Sequence, residues 1–209
     1  SDAGALLQSM RTLARANRLA NHRLHAACSQ LAPDEFKATR ISFFPSLWAT
    51  LNHILIVDWY YIAALHREPD QTKAWNSETP FDALPPLAEA QRLSDERLIA
   101  WSDHADDATL DEIVDMDRGS FVQRDRARDV LLHLFTHQVH HRGQAHAMLS
   151  GTHVKPPQLD EFVMPSDAKF RVEDMRAGLA RRRHLLALTA RLQTACRAGP
   201  PSRLSWSRC

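Results

Sequence analysis

Glycine is scarce in this chain, six residues in 209. So few flexible positions, set among abundant Ala, Leu and Arg, favour helices over architectures built on turns. Cysteine is scarce too. Cys28, Cys196 and Cys209 are an odd number, far apart, with no CxxC pair, which excludes a disulfide framework or a cysteine zinc site. Long apolar runs are missing. Ile54-Leu55-Ile56-Val57 is cut off by Asp58 from the run Trp59 to Leu65, and neither stretch is long enough to cross a bilayer. Charge of one sign is missing as well: 26 Lys and Arg against 25 Asp and Glu leave a formal net charge of +1. No global pull toward nucleic acid or acidic lipid follows, so neither partner is expected. The opening residues lack a basic region followed by an apolar core, and the chain is expected to be cytoplasmic.

What remains is ordinary for a globular chain, 24% charged and 44% hydrophobic residues, with length enough for one well-buried domain. Four long helices are expected, over about residues 4–31, 45–67, 84–104 and 124–150. The first is stopped by Pro33 and the last by Gly151. The second is apolar nearly all round, from Leu47 and Trp48 to Tyr61 and Ile62, which suits a central position. Between the third and fourth, Asp117-Arg118-Gly119 separates two short pieces that could pair as a hairpin, though their alternation is weak. Pro156-Pro157 opens an irregular stretch. A fifth, arginine-rich helical pattern covers about residues 167–197. The tail from Gly199 has no periodicity and is expected to be disordered.

Histidine is the unusual count: twelve, four of them between His133 and His141. Residues four apart on a helix differ by about 40° around its axis, so His137 and His141 can aim two imidazoles at one point. The apolar stripe of Leu131, Leu134, Phe135, Ala145, Met148 and Leu149 contains His141 and has His137 on its margin. His133 and His140 lie further round, toward the polar side. Pairing of His137 with His140 is also geometrically allowed. A site of two histidines needs a third ligand from elsewhere, and His53, inside the most apolar helix, is the best placed. Bland readings compete with this one. A histidine in an apolar helix is usually a hydrogen-bonded core residue, and HxxxH on one helix is commonly solvated or capping. On the residues alone both readings stay open.

The string from His137 to Leu149, with His140-His141-Arg142-Gly143-Gln144 at its centre, resembles the most characteristic segment of the DinB/YfiT-like family. Segments from Met10 to Asn21, Leu51 to Asp58 and Pro156 to Asp160 resemble other parts of that family in matching order. The resemblance spans about residues 5–165. It implies an all-α fold, a four-helix bundle with long crossover connections over 1–165; residues 166–209 have no counterpart in it, and their own pattern indicates an additional C-terminal helical extension and flexible tail. It also implies a divalent metal ion, zinc or nickel, held by His53, His137 and His141, and often a homodimer. The charged hairpin region around Asp117 is short for the family.

Three neutral imidazoles leave an open coordination position, as expected of a catalytic site. The resemblance implies a thiol-dependent S-transferase or isomerase, using a low-molecular-weight thiol as co-substrate on a small-molecule substrate. Asn52, Asp58, His140 and Gln144 are candidates to support the ligands from behind, and Arg142 to hold a carboxylate or cap structure; no catalytic residue is assigned. The alternatives are a metal-dependent hydrolase of small amides or esters, or a non-catalytic metal-binding stress-response protein.

Overall fold

The computed structural model describes residues 4–179. Four long helices dominate it: α1 (Ala5–Cys28), α3 (Leu47–Leu65), α4 (Leu84–His104) and α6 (Ala127–Ser150). Short helices α2 (Pro33–Lys37) and α5 (Asp107–Asp111) sit in the connections, and α7 (Ala168–Leu179) follows the last long helix. Local chemistry sets several of the ends. Ser46 Oγ accepts from the Ala49 N–H at 3.1 Å and starts α3. Prolines in the first turn of α4 occupy positions whose N–H groups would have no helical partner. Asp106 and Thr109 cap α5 reciprocally.

α1 packs on α4 and α6, and α3 packs on the same two helices. From Thr50 to Leu65 every residue of α3 but Trp59 is buried, as its lack of a polar face requires. No helix of the described residues is long and apolar enough to cross a membrane.

Two boundaries differ from expectation. α1 ends at Cys28, because residues up to Leu31 form a turn ahead of Pro33, with the Leu31 N–H on the Cys28 carbonyl at 3.1 Å. α6 begins at Ala127, not near 124, because strand pairing claims the preceding residues. β1 (Ile113–Asp117) runs antiparallel to β2 (Val122–Arg126), with Ile113 opposite Arg126 and Asp117 opposite Val122. Gly119 takes φ +81 in the turn, a conformation that favours glycine. The pleat turns Val114 and Met116 inward and leaves β2 largely exposed. The fold is therefore helical with one small hairpin, rather than helical throughout. Of the expected fifth helix, α7 is the part within the described residues. Its continuation to 197 and the tail from Gly199 lie outside them.

The apolar core is in two parts. One joins Leu7, Met10 and Ala14 to Ile56, Leu98, Leu131 and Leu134. The other joins Leu24, Cys28, Leu51, Leu55, Leu87, Ala145 and Leu149. On α1 the break falls between Ala14 and Leu24, on α4 between Ala90 and Leu98, and on α6 between Phe135 and Ala145. Polar side chains fill that level.

Candidate metal centre

α3 and α6 bring His53, His137 and His141 together, with one ring nitrogen of each lying within 4.8 Å of the others. The Nε2 atoms of His53 and His137 are 3.0 Å apart. The rings of His137 and His141, one helical turn apart, have centroids at 4.3 Å. His53 and His141 are each 4% exposed, and His137 is half-buried. Burial, reinforced by the neighbouring rings, drives their pKa values down: His53 to about 3, His137 to about 2, and His141 below its usual value. All three are thus neutral near pH 7 and keep a lone pair.

Donor chemistry and spacing fit a divalent ion. Metal–imidazole bonds of about 2.0–2.1 Å hold two donor atoms at most about 4.2 Å apart, so the observed spread closes by side-chain rotation. One tautomer is already set. His141 Nδ1 lies 2.9 Å from Gln144 Oε1, which makes Nδ1 the protonated nitrogen and leaves Nε2 as the donor atom. Gln144 Nε2 in turn lies 3.1 Å from His140 Nε2. His137 Nδ1 is buried without a hydrogen-bond partner.

Aromatic rings cover one side of the trio. Phe44 lies against His53, centroids 4.3 Å apart at 33°, and 5.5 Å from His141. Phe43 reaches within 6.4 Å of His141 and is 58% exposed. Behind the trio, a buried hydrogen-bonded layer crosses the molecule. Arg142 donates to Asn17, to Asn21 Oδ1 at 2.9 Å and to Gln138 Oε1 at 2.9 Å. Gln138 donates to Asp58, and Gln91 Nε2 donates to Asp58 at 2.7 Å and to Asp95 at 3.3 Å. Asn21 Nδ2 donates to Asp95 at 2.9 Å. All seven side chains are buried. Burial raises Asp58 to about 6 and Asp95 to about 8, the latter helped by the Asp58 charge, and lowers Arg142 to about 10.

The candidates from sequence fall in different places. Gln144 supports His141 directly, and the exposed His140 stands behind Gln144. Asp58 and Arg142 bond within the polar layer, where Arg142 meets amide oxygens and faces the Asp58 and Asp95 carboxylates of the protein itself. Asn52 ties a connection in place: its Oδ1 accepts the Phe81 N–H and its Nδ2 donates to the Phe81 carbonyl, each at 3.0 Å. Sequence reasoning missed Phe43 and Phe44. Two adjacent aromatics in a segment with no helical periodicity were the available signal. It also missed Asn17, Asn21, Gln91, Asp95 and Gln138 as one layer.

Among the curated proteins compared with this sequence, none matches. The family model described as DinB family matches residues 6–174, from the start of α1 into α7. That range takes in all three histidines, Gln144 and every member of the polar layer. With 6–174 matched out of 209 residues, the chain belongs to the DinB family.

Proposed function

We propose that this protein is a metal-dependent enzyme in which His53, His137 and His141 hold one divalent ion, zinc or nickel, and a low-molecular-weight thiol is the nucleophile. The four long helices, each packed on two others, are read as a four-helix bundle with long crossovers. One observation carries the reading: three neutral imidazole nitrogens within 4.8 Å of one another.

When bound, a divalent ion supplies the Lewis acidity that makes a thiol nucleophilic near neutral pH. The protein's own groups do the rest. Gln144 holds His141 in the tautomer that presents Nε2. Phe44 shields the His53 ring from water, which strengthens the electrostatics of the site. The exposed Phe43 offers an apolar wall to a substrate's body. The all-imidazole donor set places no carboxylate in the group, which ranks thiol transfer or isomerisation above hydrolysis, where a carboxylate base serves best.

The test is optical. Full-length protein loaded with cobalt and titrated with glutathione-like thiols should develop a sulfur-to-cobalt charge-transfer band. An unchanged spectrum with every thiol, together with hydrolysis of small ester reporters, would overturn the thiol reading in favour of hydrolysis.

A further inference from the structure

On the far side of the polar layer from the histidines, α1 and α4 enclose a cavity of about 370 Å³, in the size range of small-molecule sites. We propose that it binds a small organic cation, a primary ammonium carried on an apolar body. Two buried polar groups there have no partner. His25 is 6% exposed with both ring nitrogens unbonded, and Gln91 Oε1 is likewise unbonded. The Gln91 amide is oriented by its own N–H donors to Asp58 and Asp95, so an acceptor is what it presents. His25, held neutral by burial at a pKa of about 4, offers a second lone pair. Asp95 lines the same cavity.

Charge decides the sign of the ligand. Arg18 is held by Asp174 through two bonds, at 2.7 and 2.5 Å, and Arg92 is held by Glu89 and Glu96. Asp58 and Asp95 share the single guanidinium of Arg142, and burial keeps a proton on Asp95 near neutral pH, a proton that a positive charge arriving from the cavity side would displace. An ammonium supplies that charge and three donors, matching Gln91 Oε1, the His25 lone pair and the Asp95 carboxylate. An anion would meet arginines that are already paired, and a neutral ligand would leave the proton on Asp95. α1 and α4 run antiparallel, Arg11 reaching Ser102 and Asn21 reaching Asp95. The other end of the cavity is therefore made by Ala26, Leu84, Pro85 and Ala88, a surface for a hydrocarbon body.

The experiment is a calorimetric titration of the metal-stripped full chain with phenethylammonium, 2-phenylethanol and phenylacetate. The ammonium should bind at least about tenfold tighter than either analogue, since a charged hydrogen-bonding group contributes more than a neutral one. Asp95→Asn should remove about that factor. Ala88→Trp, at a half-buried position on the cavity wall, should abolish binding, and His137→Ala should leave it unchanged. Equal binding of all three probes, no binding of the ammonium, or ammonium binding that survives Ala88→Trp would overturn the proposal. The comparison of probes needs only the unmodified protein.

Discussion

His137 touches both other members of the histidine trio, its Nε2 3.0 Å from that of His53 and its ring 4.3 Å from that of His141. Removing it leaves two ligands on different helices. His137→Ala should therefore weaken metal binding by about 100-fold or more in a chelator competition, and stoichiometric binding in that variant would contradict the ligand assignment. Gln144→Leu removes the acceptor on His141 Nδ1 and should cost about 10–100-fold, as loss of a group that orients a ligand does. Asp95 gives a pH prediction. Burial raises its pKa from 3.8 to about 8, so between those values the folded chain keeps a proton that the unfolded chain has lost. Its contribution is full below the unfolded value and is lost as the pH rises through about 8. Asp95→Asn should accordingly lose less stability than the parent between pH 6 and 9, by on the order of 2 kcal/mol, in urea melts at each pH. Parallel profiles would show that Asp95 does not titrate in that range. His25 acts with the opposite sign: its pKa, lowered to about 4, makes the protein lose stability as the pH falls below about 6.5.

At the scale of elements, the polar layer is built from pairs four residues apart. α1 gives Asn17 and Asn21, α4 gives Gln91 and Asp95, and α6 gives Gln138 and Arg142, with Asp58 from α3 closing the ring of contacts. These bonds fix the level at which the helices meet, and that level is also where His137 and His141 sit. Arg142→Met would leave the Asp58 carboxylate, beside a protonated Asp95, buried without a cation. It should cost about 3–5 kcal/mol of unfolding free energy at about pH 7, seen as a lower urea midpoint, and an unchanged midpoint would mean that Asp58 is neutral as well. The long helices were legible in the sequence, and α4 has the boundaries its periodicity indicates. The HxxxH pair was legible because His141 lies within an apolar stripe. The polar layer was not. Asn and Gln four apart are the usual dress of a solvated face, and the inward direction of α1 and α4 is set by partners distant in sequence. The start of α6 was misjudged for a similar reason: Arg124 and Arg126 suit a helix locally, and only pairing with Asp115 and Ile113 makes them a strand.

Across the whole molecule the histidine trio, the polar layer and the Asp95 end of the α1/α4 cavity follow one another from the α3/α6 side to the α1/α4 side. The family match ends at Asp174, beyond the point near 165 where the resemblance read from sequence stopped. That residue closes the sequence of groups. Asp174 lies on α7, its side chain 2% exposed, and grips Arg18 of α1, which is 16% exposed. Arg23 makes a second contact from α1 to α7 through Glu173, at 2.8 Å. In Asp174→Ala, Arg18 loses its carboxylate beside Asp95, whose charge already acts on it. Two consequences should appear together. Stability should fall by about 2 kcal/mol, as expected when one partner of a largely buried pair is removed, or roughly 4–8 °C in Tm for a chain of this size. Phenethylammonium binding should also fall, because the freed guanidinium supplies the positive charge Asp95 lacks. Arg18→Met in the same background should then restore most of that binding while costing little further stability, since the two side chains act as one unit. Strictly additive effects of the two substitutions on stability and on binding would show that α7 is merely laid over the helices and has no part in setting the charge of the cavity.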